Sequence, residues 1–311
     1  MAFPELIENT GNLRDVDSLV RWARNHANSL KSTLAETGAI LFRGFPMASA
    51  EDFDAFSAAF EYEDFTYNES LSNAVRINLT PRVFTANEAP PDVEIFLHHE
   101  MAQTPIFPQK LFFCCLAPAQ QGGATPICRS DELFSAFAAA APEWTEQFRR
   151  QGLKYTTHMP AGDDPDSGQG RSWRSTLSVS TPEQAEARLA ALEYTWTWMP
   201  DGSLLATTPT LPAVRRLPDG SESFFNQVIA AHLGWKRHQT GKPVVTFGNG
   251  EEIPQKVMHE LVALSRRLIY PIQWLQGDVA LVDNYRVMHG RYPYSGTRKR
   301  RVLVCLARED A

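Results

Sequence analysis

The sequence predicts a mainly β protein, a double-sheet roll wrapped by helices. Seven short β-rich runs point to it, namely VEIFLHHE, KLFFCCLA, ATPICR, the Thr195 to Trp198 segment, SFFNQVIA, DVALVDN and RRVLVCLA. Turn residues, Pro, Gly, Asp and Ser, separate these runs. Helical periodicity is confined to a part before residue 60 and two insertions, the pattern of a sheet core with helices laid against it.

Taken in order, the apolar positions Val16, Leu19, Val20, Ala23, Ala27, Leu30 and Leu34 follow helical spacing, and Gly38 closes that helix in a left-handed conformation. AILFRGF then reads as a buried strand. A second helix starts at Ser49, a good N-cap, with Glu51 and Asp52 in its first turn and Phe53, Phe56 and Phe60 on one face. One helical insertion spans about Asp131 to Arg150. The other, at about 251–269, has Pro254 at its first helical position and runs through Val257, Met258, Leu261 and Leu268. The polar segment AGDDPDSGQGRS at 161–172 is long enough for a lid over a site, and equally suits a solvated loop. YTWTW at 194–198 reads as sheet packing.

The chain has 311 residues, of which 43% are hydrophobic and 21% charged, enough to bury a large core; length does not decide between one domain and two. Its formal net charge is -6, and the basic residues are scattered except at 298–301, which argues against nucleic acid or an anionic membrane as the main partner. Cys114, Cys115, Cys128 and Cys305 form no CxxC pair and read as reduced core residues. The first residues lack a secretory pattern and no apolar stretch approaches the ~20 residues of a membrane helix, so the expected location is the cytoplasm.

Chemistry concentrates in "EIFLHHEMAQ". In an extended strand alternate side chains share a face, so His98 and Glu100 point together, with Glu94 and Phe96, while His99 points away. An H-x-E pair offers one imidazole and one carboxylate. One further histidine would complete a 2-His-1-carboxylate triad with open positions on Fe(II). His289, after the hydrophobic run DVALVDN and before a Gly-Arg turn, is the candidate. Arg300 and Arg301 follow eleven and twelve residues later, and Thr125 lies twenty-five residues after Glu100, behind a double glycine. A guanidinium and a hydroxyl are what the far carboxylate of a keto-diacid requires.

This set, with the phrases LHHEM, GGATP, DNYRVMHGRYPYSG and RRVLV, resembles the TauD/TfdA family of Fe(II)/2-oxoglutarate dioxygenases, closest to the clavaminate synthase-like, amino-acid-modifying branch. The resemblance runs from about AILFRGF to the C-terminus. It implies a double-stranded β-helix, a jelly-roll or cupin-like core, in a single domain over 1–311 with the helical parts at about 12–60, 131–150 and 251–269. It also implies that His98, Glu100 and His289 hold iron, and that Thr125 and either Arg300 or Arg301 take the C5 carboxylate of 2-oxoglutarate. Successive strand residues face opposite ways, so only one arginine enters the pocket; Arg301, next to VLV, is the favoured one.

The implied enzyme uses Fe(II), 2-oxoglutarate and O2 to hydroxylate or desaturate an unactivated C–H bond of a small polar molecule, an amino acid or derivative in secondary metabolism, free or linked to a carrier or peptide. Glu100 argues against the related halogenases, which leave that position open for chloride. Two other classes compete: a non-catalytic metal- or ligand-binding jelly roll, which has no need of an arginine at that spacing, and a zinc hydrolase, whose HExxH helix is absent. Glu94 is a candidate for a substrate cation, with rim charge as the competing reading. His99 is expected to be a hydrogen-bonded core residue, and His26, His158, His232, His238 and His259 structural.

Overall fold

A computed structural model describes residues 2–66, 70–72, 74–164, 170–235, 241 and 243–309. The core is mainly β with flanking helices. Among the described residues the largest sheet has seven strands, in the order Glu5–Glu8, Ala39–Arg43, Val279–Asp283, Lys110–Ala117, Arg301–Arg308 and Glu63–Asp64, with Val83–Thr85 also paired to Arg301–Arg308. A four-stranded sheet faces it, in the order Tyr270–Ile272, Thr125–Arg129, Val287–Arg291 and Ile95–His98. Period-two alternation sorts the large sheet into two layers. Leu111, Phe113, Cys115, Val302, Val304 and Leu306 point between the sheets, against Ile127, Ile272 and Val287. Phe112, Cys114, Leu303 and Cys305 point outward, under the helices. Both faces of these strands are therefore buried, which is why their sequences are unbroken apolar runs.

The outer face is covered by the helices Val16–Thr37 and Ala50–Ala58. The first is started by the Asp15 side chain and ended at Gly38 with φ 83°. The second begins at a capping box in which Ser49 and Asp52 satisfy one another's backbone donors. Phe42, Phe56, Phe60 and Phe112 meet edge to face, with ring centroids 5.2, 5.4 and 5.3 Å apart along the chain of contacts. Each such contact adds about 0.5–1.5 kcal/mol beyond burial.

Two expectations change. The insertion at about Asp131 to Arg150 is two helices, Ser130–Ala140 and Pro142–Gln151, because Pro142 cannot continue the first and instead starts the second. The run SFFNQVIA is not a strand. Only Ser223 pairs, and Val228–Gly234 is helical. Asn226 Oδ1 accepts from the Val228 amide at 3.1 Å and Tyr155 Oη accepts from the Gln227 amide at 3.0 Å, so local side chains satisfy donors that a ladder would have used. The other insertion is the helix Gln255–Leu268, with Pro254 as its cap. All four cysteines are buried and free, and no described helix is long and apolar enough to cross a membrane.

The candidate lid at 161–172 falls partly, at 165–169, outside the described residues, as does His238. His99 is a core residue as expected. It is fully buried, donates from Nδ1 to the Asn284 carbonyl, and has Nε2 2.9 Å from Ser130 Oγ. Burial, with the neighbouring imidazoles of His289 and His98 adding to it, lowers its pKa to about 3. His26 bonds the Trp22 carbonyl at 2.8 Å and His158 bonds Ser203 at 2.8 Å.

Candidate active site

The four-stranded sheet builds the site. His289 pairs across the ladder with His98 on one side and Ile127 on the other, so all three side chains share the inward face. The two imidazole centroids are 4.4 Å apart. Gly290 lets the strands approach. A Cβ there would stand 2.4 Å from the Ile95 carbonyl oxygen and 3.2 Å from Pro126 Cγ, so no other residue fits without moving the strand that carries His98. Gly290 and Arg291 accordingly belong to the strand, rather than to the turn expected after His289.

Glu100 reaches the same place by a different route from strand alternation. The strand ends at His98, and Glu100 lies in the turn beyond it, ahead of Met101 at φ 59°. Asn284, fully buried, fixes that turn: its Oδ1 accepts from the Glu100 amide at 2.8 Å and its Nδ2 donates to the Glu100 carbonyl at 3.0 Å and the Pro108 carbonyl at 2.7 Å. The result is a cluster of His98, Glu100 and His289 whose candidate ligand atoms lie within 4.8 Å of one another.

Arg76 donates to Glu100 Oε1 at 2.8 Å, with both side chains buried. Burial alone would raise the Glu100 pKa; Arg76, His289 and His98 outweigh it and hold the carboxyl ionised, well below the usual range. His98 donates from Nδ1 to the Phe96 carbonyl at 2.8 Å, which fixes the tautomer and leaves the Nε2 lone pair for a ligand. Its partial exposure is to the cavity, and the surrounding protein with neighbouring His289 still lowers its pKa to about 4. His289 packs against Phe113, and its buried Nδ1 has no hydrogen-bond partner among the described residues. Two imidazoles and one carboxylate, converging within 4.8 Å, form a donor set that fits a ferrous ion.

Thr125 starts its strand after Gly122 and Gly123, both left-handed at φ 70° and 72°. A Cβ on Gly123 would lie 3.2 Å from Arg300 Cδ, so the second glycine makes room for the arginine stem. Of the two candidate arginines the structure brings Arg300 to the pocket. Arg300 is 9% exposed, donates from Nε to the Gly123 carbonyl at 3.0 Å, and has Nη2 3.4 Å from Thr125 Oγ1. Arg301, the favoured residue, is exposed and points away. Parity is the reason: Arg300 shares its face with Val302 and Val304, which point between the sheets.

Trp274 Nε1 donates to Thr125 Oγ1 at 2.9 Å. With Trp274 and Arg300 both aimed at its oxygen, the Thr125 hydroxyl proton is left for an acceptor that no described residue supplies. Burial and the adjacent Arg291 push the Arg300 pKa down to about 10, so it stays a cation at neutral pH without a carboxylate partner among the described residues. A group with carboxylate oxygens fits that gap.

These residues line a narrow cavity of about 60 Å³ that holds His98, Glu100, His289, Thr125 and Arg300. A larger one of about 550 Å³ adjoins it, sharing Arg76, Asn87, His98 and Glu100 and adding Glu94, Gln103 and Trp235. Glu94 is partly buried, which raises its pKa.

Sequence reasoning missed Arg76, Asn284, Trp274 and Arg291 as site residues. Arg76 sits in an irregular stretch with no motif. Arg291 donates to the carbonyls of Ala89, Pro90 and Val93 at 2.9, 2.7 and 2.8 Å. Three backbone acceptors across the cavity wall have no signature in a side-chain sequence. Asn284 was visible only as part of the DNY phrase.

Comparisons with known proteins give the family and the fold. Residues 8–306 match the model of the taurine catabolism dioxygenase TauD, TfdA family. The chain is 36% identical over 278 residues to a clavaminate synthase-like protein of Arabidopsis thaliana, covering 89% of this chain and 84% of that protein. It is 30% identical over 286 residues to the dapdiamide synthesis protein DdaC of Enterobacter agglomerans, covering 87% and 83%. Among solved structures, PvcB, described as an Fe, alpha-ketoglutarate dependent oxygenase from an isonitrile synthetic pathway, superposes with TM-score 0.53 at 17% identity, covering 98% of this chain and 85% of its own. A taurine dioxygenase from Burkholderia xenovorans gives TM-score 0.52 at 15% identity over 92% and 81%. These two show the fold, a TauD-like jelly roll.

Proposed function

The chain belongs to the TauD/TfdA family of 2-oxoglutarate-dependent non-haem iron dioxygenases, and from that premise we propose that His98, Glu100 and His289 hold Fe(II) while Thr125 and Arg300 take the far carboxylate of 2-oxoglutarate. The reaction we assign is hydroxylation or desaturation of an unactivated C–H bond in a small polar molecule, an amino acid or derivative, free or linked to a carrier or peptide. DdaC and PvcB, similar proteins whose names place them in biosynthetic routes to small molecules, support secondary metabolism as the setting.

Iron held by His98, Glu100 and His289, with 2-oxoglutarate held by Thr125 and Arg300, would supply two-electron oxidising power from O2 at the expense of converting the keto acid to succinate and CO2. Everything else is done by this chain. Asn284 and Arg76 aim the Glu100 carboxylate, and the Phe96 carbonyl aims His98. Val302 and Val304 give the inner cavity an apolar wall, which strengthens the Arg300 contact and limits water. Glu94, in the larger cavity, is the candidate partner of a substrate ammonium or guanidinium. The observation that carries the reading is Thr125: an inward hydroxyl with two donors on its oxygen, beside an uncompensated guanidinium, is built for a carboxylate.

The test is anaerobic addition of Fe(II) and 2-oxoglutarate. A weak visible charge-transfer band is expected, and its loss in Glu100→Ala and His289→Ala. Turnover supported by zinc alone overturns the assignment. Succinate release across amino acids, their carrier- or peptide-bound forms and small sulfonates then finds the substrate class; stimulation by sulfonates alone refutes an amino-acid derivative.

A further inference from the structure

A second large cavity, about 490 Å³, adjoins the cosubstrate pocket and meets the substrate cavity at Asn87 and Ala89, and its charge is lopsided. Arg291, Arg298, Lys299, Arg300 and Arg301 line it against one acidic residue, Glu88. Among the described residues the ion pair Glu88 makes is with Lys299, at 3.7 Å, and that lysine side chain is 77% exposed. The cavity shares Ala86, Asn87, Arg291, Arg300 and Val302 with the narrow pocket, so one partition separates them. Tyr294 stands at that partition, its ring 5.3 Å from the Arg291 guanidinium and 5.7 Å from that of Arg300, which holds both cations against an aromatic face. Among the described residues the substrate cavity is different: the arginine that lines it, Arg76, is already paired with Glu100, and Glu94 also lines it.

We propose that the basic cavity is the port through which a dicarboxylate, 2-oxoglutarate inward and succinate outward, reaches and leaves Arg300, separately from the substrate cavity. This rests on the cosubstrate reading above. A dianion is repelled by a protein of net charge -6 unless a local cluster of cations focuses the field, and among the described residues the 298–301 run supplies that cluster at this opening. A prime substrate seated over His98 and Glu100 fills the other opening, so a back port lets succinate leave while the oxidised product is still bound. The exposed cations Arg298, Lys299 and Arg301 thereby acquire a role.

Stopped-flow formation of the anaerobic Fe(II)–2-oxoglutarate band tests it. In Arg298→Glu/Lys299→Glu/Arg301→Glu the band should reach its full amplitude, reporting an intact site, but its second-order rate constant should fall about tenfold at low salt and lose most of its salt dependence. Lys299→Glu alone should slow it in part. Val93→Lys, at an exposed residue lining the substrate cavity, should leave the rate unchanged. An unaltered rate in the triple variant, or acceleration by Val93→Lys, overturns the port. Absence of the band from the wild-type protein overturns the cosubstrate reading and the port with it.

Discussion

Arg300 and Arg301 are adjacent in sequence and opposite in consequence, so a paired substitution isolates the placement of the cosubstrate arginine. Arg300 is buried, holds the Gly123 carbonyl at 3.0 Å and approaches Thr125 Oγ1 at 3.4 Å, with no carboxylate neighbour among the described residues. Arg300→Ala would leave the far carboxylate of 2-oxoglutarate buried without its cation. Removing one partner of a buried, hydrogen-bonded charge pair costs about 2–5 kcal/mol. A middle value of about 3 kcal/mol corresponds to a loss of roughly 150-fold in affinity. Arg300→Lys keeps the charge and loses the planar fork, and should cost about tenfold. Arg301→Ala removes an exposed side chain and should change the equilibrium affinity less than about twofold. The assay is titration of the anaerobic Fe(II)–2-oxoglutarate band, with amplitude reporting the iron site and midpoint the cosubstrate. A midpoint shifted by Arg301→Ala as far as by Arg300→Ala would refute the parity argument, and an Arg300→Ala shift below fivefold would refute the role of burial.

Gly290→Ala should lower the unfolding free energy by about 1–3 kcal/mol, since the added Cβ meets Ile95 backbone at 2.4 Å, and should weaken Fe(II) binding as His98 moves; chemical denaturation and metal titration check both, and a neutral substitution is the contrary result. Asn284→Asp retains an acceptor for the Glu100 amide but loses the two bonds Nδ2 donates, so metal affinity should fall about 10–100-fold with the fold retained by circular dichroism. Acid should destabilise the metal-free protein through His99. Its folded pKa is lowered to about 3 against 6.5 in the unfolded chain, so below pH 6.5 the unfolded state binds a proton that the folded state refuses. The stability this histidine contributes is full above that pH and declines towards pH 3, by about 2 kcal/mol between pH 7 and 5. Urea midpoints over that range should fall for the parent and be flatter for His99→Asn; parallel curves would remove His99 as the cause.

Much of the site was legible because its chemistry is written in residue types at fixed spacings. A histidine and carboxylate two apart, a distant histidine, and a threonine behind two glycines are recognisable before any coordinates. The helices ahead of residue 60 were legible too, since Asp15, Gly38, Ser49 and Asp52 act within a few residues of the backbone they cap. Failures came where distant groups decided. SFFNQVIA has the composition of a strand, yet Asn226 and the Tyr155 hydroxyl, supplied from 72 residues away to Gln227, claim its amides.

The sequence by itself determined the roll, the candidate metal-ligand cluster and the fact that one of two arginines enters the pocket. Which one was decided only by the packed structure. Arg301–Arg308 is buried on both faces, between the sheets through Val302, Val304 and Leu306 and beneath the helices through Leu303, Cys305 and Ala307. A strand of that kind has no polar side to mark its phase, so alternation says that neighbours point apart without saying which way is in. The same holds for Arg76, Trp274 and Arg291, whose partners lie on other elements, 24, 149 and about 200 residues away along the chain.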